Sequence, residues 1–422
     1  MKPMRDLLFL AHRIPYPPSK GEKIRGWHFL RHLAETRRVH LGCFVDDDPD
    51  WAHVPFLKEL VGESCFLPLR GARALARSLP ALVTGRPLTL PYYYDRRMAR
   101  WVRGLRQDRP MTVFVYSSSM AQYVATDAGS PRIIDFVDVD SQKWRDYSER
   151  RRWPMSAVYR REGRTLLAAE RRIAREFDAS IFVSEAEAAL FRQLAPENAH
   201  RVSAVSMGVD TERFSPDADC PDPYDGAGPS TLCFTGMMDY WPNVDAVTWF
   251  AHSVFPRIRR ARPTARFWIV GANPSRAVQQ LADEPGVVVT GRVPDTRPYL
   301  AHATAVVAPL RIARGVQNKV LEAMAMGRPV IASAQAFEGL RVEAERDLIV
   351  ARSSDEFVRA VERVWDGRLV GTLGVSARHT VQTHYDWPSQ LAALDAVLGP
   401  LEAAADRRGP ALTMRTAAAC QS

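Results

Sequence analysis

Arg311-Ile312-Ala313-Arg314-Gly315-Val316-Gln317-Asn318-Lys319-Val320-Leu321-Glu322-Ala323-Met324-Ala325-Met326-Gly327-Arg328-Pro329-Val330-Ile331-Ala332 is the stretch that decides the fold. An apolar strand, Ala303 to Leu310, leads into it. A basic loop with one glycine follows, then a helix, then Gly-Arg-Pro and a second strand. The loop is therefore expected at the carboxyl edge of a parallel sheet, with a helix N-terminus directed into it. Open α/β sheets bind their ligands at that edge. Unpaired N–H groups at the helix start, with Arg314 and Lys319 beside them, favour a phosphate. Glu322, one turn on, can accept hydrogen bonds from hydroxyls, as an acidic residue does with ribose in dinucleotide folds. Phosphate donors plus one carboxylate suit a nucleotide sugar.

The same alternation of short apolar runs and longer amphipathic segments continues in both directions, which reads as α/β. The first half offers strands at Leu7–Ala11, Val39–Val45, Cys65–Leu69, Thr112–Tyr116, Ile133–Val137, Ser180–Val183 and Val202–Ser206. The second half offers Thr231–Thr235, Arg266–Gly271, Val287–Thr290, Ala303–Pro309, Pro329–Ala332 and Asp347–Val350. The run from Ser215 to Ser230 is too rich in Pro, Gly and Asp for a regular element and reads as a linker. The expected plan is two doubly wound, Rossmann-like domains facing across a cleft. The first spans 1–208, the linker 209–230 and the second 231–387, with a helix over 388–402 packing back on the first and a disordered tail over 403–422.

Composition narrows the class. At 422 residues two domains are the default, and 46% hydrophobic with 25% charged residues is ordinary for a globular protein. Five cysteines, odd in number and without CxxC spacing, give neither a disulfide framework nor a zinc site and fit a reducing cytoplasm. No apolar stretch approaches the length of a spanning helix. The net charge is +9. Between Lys143 and Arg175, 11 Lys or Arg residues stand against four Asp or Glu, with Trp144, Tyr147, Trp153, Met155 and Tyr159 interleaved. That composition reads either as a solvated arginine-rich helical face or as contact with an anionic membrane surface. Nothing resembles a nucleic-acid-binding signature.

Several motifs together carry a resemblance. They are His12-Arg13-Ile14-Pro15-Tyr16-Pro17-Pro18-Ser19-Lys20-Gly21-Glu22-Lys23-Ile24-Arg25, Gly208-Val209-Asp210-Thr211-Glu212-Arg213-Phe214-Ser215-Pro216, Phe234-Thr235-Gly236 with Trp241-Pro242-Asn243, and the Arg314–Gly327 motif. In order and spacing the chain resembles retaining glycosyltransferases of the GT-B fold, family four, and most of all the sugar transferase group associated with exosortase and exopolysaccharide systems. The resemblance implies a cytoplasmic enzyme, peripheral at the inner face of the membrane, that moves a sugar from a nucleotide donor to a saccharide or lipid-linked acceptor. It implies no cofactor and no metal.

It also implies site residues. Gly236, Arg314, Gly315, Val316, Gln317, Lys319 and Glu322 fall on the donor side, and Gly21 and Asp138 fall on the reacting-sugar side. Gly21 has an alternative as an ordinary strand-to-helix turn, Asp138 as a helix cap, and Glu322 as a helix-surface carboxylate. Lys20, Lys23 and Arg25 fit a nearby anion or are surface charges. Asp138-Val139-Asp140 invites a metal, but its strand lies in the first domain, away from the expected donor site. Two family features are missing. Met237-Met238-Asp239-Tyr240 offers no Arg or Lys to grip the distal phosphate, and Arg314 replaces the first of the family's paired glutamates. Arg314 and Lys319 would compensate as cations moved into the loop. A nucleotide-sugar epimerase and a non-catalytic GT-B scaffold remain the alternatives.

Overall fold

A computed structural model of the chain describes residues 5–107, 109–124, 130–149, 151–224, 230–313, 315–367 and 370–408. The chain divides into two compact units, Met1–Val205 with Leu391–Ser422, and Ser206–Gln390.

The first unit carries seven strands, β1 (Arg5–Ala11), β2 (Arg37–Val45), β3 (Ser64–Pro68), β4 (Thr112–Tyr116), β5 (Arg132–Val137), β6 (Ala179–Phe182) and β7 (Val202–Ala204). They pair parallel in the order β3-β2-β1-β4-β5-β6-β7, with Leu7 opposite Val39 and Phe9 opposite Phe114. The second unit carries β8 (Thr231–Thr235), β9 (Arg266–Val270), β10 (Val287–Gly291), β11 (Ala305–Ala308), β12 (Val330–Ser333) and β13 (Ile349–Ala351), in the order β10-β9-β8-β11-β12-β13. All thirteen lie where the sequence placed them, with ends shifted by one or two residues. Parallel strands buried on both faces are near-continuous apolar runs, which makes them easy to read. In each unit the chain winds outward from the centre and then returns to wind the other way. The reversal falls between β1 and β4 in the first unit and between β8 and β11 in the second. Loops leaving the carboxyl ends of those strands therefore frame the ligand-binding crevices of the fold.

The helix Gly21–Thr36 buries Arg25, Phe29 and Leu33 along one stripe, with Gly26 and Leu30 beside them. That is the i, i+4 spacing of a core-facing helix, with a charge in its middle. Arg25 and Asp135 are both 0% exposed, and the Arg25 Nε donates to the Asp135 carboxylate at 2.7 Å. Lys23 is likewise buried and paired with Asp50. Neither residue is a surface charge or a free anion ligand, which corrects the sequence reading. Each cation is already committed to a carboxylate inside its own unit.

The Pro- and Gly-rich run also differs from expectation. Tyr224 is buried in the second unit, its ring 5.0 Å from Trp268 and 5.8 Å from Tyr299, and its hydroxyl donates to the Tyr299 carbonyl. The described part of the run thus packs as a strap on that unit. The final helix, Trp387–Arg408, runs past Ala403, where a tail was expected to begin. Within the first unit its Glu402 accepts from Arg37 Nε and Nη2 at 3.1 and 3.0 Å and from the Thr112 hydroxyl at 2.9 Å. Among the described residues no helix is long and apolar enough to cross a membrane.

Candidate active site

In the second unit the described residues of the predicted donor set lie on both sides of the β8/β11 reversal. The helix Asn318–Ala325 starts from the loop after β11, with Gln317 in extended backbone at its N-cap and no side-chain hydrogen bond capping it. Such a start leaves backbone N–H groups for an outside acceptor. Gly315, at φ +63°, turns the loop through the left-handed region that favours glycine. Val316 packs against the core, and the Gln317 amide reaches back to the Gly315 carbonyl at 3.4 Å. Arg314 lies outside the described residues.

Lys319 leans from the first turn of that helix toward β8. Its Nζ lies 4.3 Å from the centre of the Phe234 ring and donates to the Asn243 side-chain carbonyl at 2.5 Å. Asn243 is held in turn, because its amide donates to the Met237 carbonyl at 2.9 Å. Gly236 leaves the room for this meeting. A Cβ there would stand 2.8 Å from the Asn243 amide nitrogen and 3.1 Å from Lys319 Nζ. Gly236, Asn243 and Lys319 therefore form one constellation joining the ends of β8 and β11. Of these, Asn243 was not assigned a role from sequence. Its only cue was the Trp-Pro-Asn motif at the start of the next helix.

Desolvation shapes the charges. Burial pulls the Lys319 ammonium down to about 7, with Glu322 pulling back up. Burial pushes the Glu322 carboxyl up to about 7, opposed by Lys319 and then Arg213. Both groups therefore sit in an environment that penalises charge, and an anion arriving beside Lys319 restores the charge of the ammonium. Paired groups shifted this far toward neutral pH mark ligand-handling positions more often than plain surface ones.

In the first unit the equivalent edge is richer than the sequence suggested. Gly21 is the first residue of its helix, exposed and helical in backbone, so it does not use the positive φ that its glycine would allow. Asp138 follows β5 directly. The residue before it, Val137, holds φ +68°, an uncommon and strained conformation for a β-branched side chain. The Asp135 carboxylate accepts from the Val137 N–H at 3.0 Å, fixing that kink. Burial, then the Asp138 charge, keeps the carboxyl of Asp140 above its usual range against the pull of Lys143.

His12, at the end of β1, was quoted from sequence but given no role. Its ring stacks 5.8 Å from Tyr116 and meets Tyr93 edge-on at 5.7 Å. Burial and the neighbouring Arg13 push it down to about 4, so it is a neutral imidazole at pH 7. Arg13 itself donates to Glu22 at 2.7 Å and lies 3.0 Å from the Asp46 carboxylate. Only the tertiary stacking reveals His12 as a held, uncharged acceptor at the strand reversal.

Residues 229–366 match the family model described as "Glycosyl transferases group 1". They are a group 1 glycosyltransferase domain, and this domain makes the chain a glycosyltransferase. The matched segment contains every described donor-side residue named above. Among solved structures, the sucrose-phosphate synthase of Thermosynechococcus elongatus is 18% identical with a TM-score of 0.71, covering 95% of this chain and 100% of its own. Anabaena HepE, solved in complex with UDP and glucose, is 15% identical with a TM-score of 0.64, covering 94% of this chain and 100% of its own. WaaG, a glycosyltransferase involved in lipopolysaccharide biosynthesis, is 14% identical with a TM-score of 0.65, covering 93% and 100%. At these identities the likeness is one of fold, and the fold is GT-B. No match is found among curated proteins.

Proposed function

We propose that this glycosyltransferase takes a sugar from a nucleoside-diphosphate donor and transfers it, with retention at the anomeric carbon, to a hydroxyl of a saccharide or lipid-linked saccharide in polysaccharide synthesis. We further place it in the group associated with exosortase and exopolysaccharide systems. The observation that carries the donor reading is the Lys319–Asn243–Gly236 constellation with Glu322 one turn along the same helix. In this reading Lys319 and the open helix N-terminus hold the diphosphate, Glu322 accepts from ribose hydroxyls, and the Gly315 loop lies along the sugar. Arg314 belongs to the same proposal as the second cation. UDP is the nucleotide to try first, since the fold neighbour HepE was solved with it.

On the acceptor side Asp138, His12 and the backbone at Gly21 meet the incoming hydroxyl. No side chain there is placed as a covalent nucleophile, and front-face transfer needs none. The bond from the anomeric carbon to the phosphate oxygen breaks and the acceptor oxygen bonds to that carbon. The acceptor proton goes to the leaving phosphate oxygen. The protein then contributes positioning and charge stabilisation. Neutral His12 can accept a hydrogen bond from the incoming hydroxyl, and Asp138 can orient it.

Thermal unfolding with UDP, GDP, ADP, CDP and TDP tests the donor site. One nucleotide at a hundred times its dissociation constant should stabilise the protein by about 2.7 kcal/mol, and Glu322→Gln should remove most of that shift. Silence with all five nucleotides would favour the scaffold reading, while donor isomerisation without acceptor would favour the epimerase.

Proton linkage gives a second test. With Lys319 near 7 in the free protein, a diphosphate should raise its pKa and draw a proton from solvent between pH 7 and 8. Calorimetry in buffers of different ionisation enthalpy should show that uptake. Lys319→Arg, charged at all these pH values, should abolish it, and a nucleotide that binds the wild type without proton uptake would rule out a Lys319–phosphate contact.

A further inference from the structure

The helix Gly71–Ser78 and the turn after it invert the usual pattern of a surface helix. The helix buries only the small Ala74 and Ser78, and Ala81 follows them inward. Leu75, Leu79, Leu82 and Val83 all point to solvent, with Val83 88% exposed. Leu75 and Leu79 stand one turn apart on the outer side of that helix, and Leu82 and Val83 follow on the short helix Ala81–Thr84. A core-facing helix places its large apolar residues inward. Here they are displayed, although burial would favour hiding them.

A second apolar tip lies close by. The loop before the helix Met155–Glu176 exposes Trp153 to 82%, and Met155 is exposed beside it. These six side chains are a majority of the large hydrophobic residues exposed among the described residues. Arg161, about 9 Å along the helix from Met155 at 1.5 Å per residue, donates to the carbonyls of Ala81 and Arg86. Glu162 accepts from the Leu88 and Thr89 N–H groups at 2.7 and 3.0 Å. The two tips are thus tied to one end of the first unit. The other aromatics of the basic segment do not join them. Trp144 lies 5.0 Å from Tyr159 and 6.0 Å from Tyr147, so these rings are spent on packing the helix Asp140–Glu149 against the helix Met155–Glu176.

Charge is one-sided around the tips. Residues 64–94 contain no Asp or Glu but include Arg70, Arg73, Arg77 and Arg86. Residues 150–161 contain none either, and include Arg151, Arg152, Arg160 and Arg161. We propose that this arginine-ringed apolar end of the first unit is a docking surface for the headgroup layer of an anionic lipid bilayer. The Leu75-Leu79-Leu82-Val83 face and Trp153 enter the acyl boundary while the exposed Arg70, Arg73, Arg86, Arg152 and Arg160 meet phosphates. Apolar tips ringed by cations are what such an interface selects. A nucleic acid would use the arginines but gain nothing from Leu82 and Val83. The proposal stands apart from the donor site, and vesicle binding can be measured without any nucleotide.

The test is sedimentation of the full chain with vesicles of equimolar phosphatidylcholine and phosphatidylglycerol, and with phosphatidylcholine alone, at 0.1 M NaCl. The wild type should bind the anionic vesicles and bind the neutral ones at least tenfold more weakly. Val83→Asp with Trp153→Ala should cut binding tenfold or more. Arg73→Glu with Arg152→Glu should do likewise, since each arginine near an anionic surface is worth about fivefold. Arg260→Glu with Arg276→Glu, on the second unit, should leave binding unchanged. All four positions are exposed, and unaltered UDP-free melting curves confirm folding. Equal loss from the second-unit pair would show that net charge alone acts and would overturn the proposal. Loss with the arginine changes but not with the apolar ones would show that no side chain enters the acyl boundary and would overturn the proposal. Absence of binding to anionic vesicles at low salt would also overturn it.

Discussion

Replacing Arg25 with methionine is expected to lower the unfolding free energy by about 3–5 kcal/mol, the cost of leaving a buried charge without its partner. Arg25 and Asp135 are both fully buried and 2.7 Å apart. Burial pushes Asp135 above the usual carboxylate range even though Arg25 draws it down, so the pair is expensive and holds only as a pair. Arg25 also lies over the Phe29 ring at 4.4 Å, a contact that methionine partly replaces. The double change Arg25→Met with Asp135→Asn should recover most of the loss. The asparagine carbonyl can still accept from the Val137 N–H, and no charge remains to be desolvated. Denaturant unfolding of the two single variants and the double reads the coupling directly. If Arg25→Met costs under 1 kcal/mol, Asp135 does not depend on Arg25 to stay buried. The same variants report on function. Asp135 fixes the backbone immediately before Asp138, so the double variant should keep its fold and its nucleotide binding. Asp135→Leu, which removes the acceptor of the Val137 N–H, should impair transfer without weakening the donor.

The sheets were legible because each parallel strand is a short apolar run bounded by turn residues, and the carboxyl-edge loops follow from that order. The charged side chains of the helix Gly21–Thr36 were not legible. Lys23 and Arg25 read alike in sequence as cations near a loop, and only the sheet beneath them decides that both are buried. One cue existed, an aspartate at 135 inside an otherwise apolar strand, which needs an inward-facing partner. The run from Ser215 to Tyr224 misled for a related reason. Pro and Gly report the absence of regular structure but cannot tell a free linker from a strap, and the single ring of Tyr224 makes the difference. At the donor site the residues after β11 were visible as a motif. Their meeting with Asn243 was not, because it depends on Lys319 crossing from one strand end to another. The outward face of Leu75 to Val83 was missed because its periodicity fits a buried stripe equally well.

Replacing Lys319 with methionine should produce two effects of opposite sign. Nucleoside-diphosphate affinity should fall about 10- to 150-fold, the range for losing a hydrogen bond to a charged group, and turnover by a further 10²- to 10³-fold if the same ammonium steadies the leaving diphosphate. The unliganded protein should nevertheless become more stable. Burial holds Lys319 at about 7 in the folded chain against 10.5 when free. Below pH 7 both folded and unfolded chains carry the proton, and the folded chain bears the full desolvation cost. Between 7 and 10.5 the unfolded chain binds more protons than the folded one, so wild-type stability rises with pH through that window. Methionine keeps the stem over Phe234 and has no charge to desolvate, so its advantage should be greatest below pH 7 and fade above it. Melting curves from pH 6 to 9.5, with and without UDP, measure both effects. A structural lysine, valued for its bond to Asn243, would give the opposite result, with methionine destabilising at every pH. A functional one is a local loss of stability retained for the anion it holds, and the sign of the change in unliganded stability decides between them.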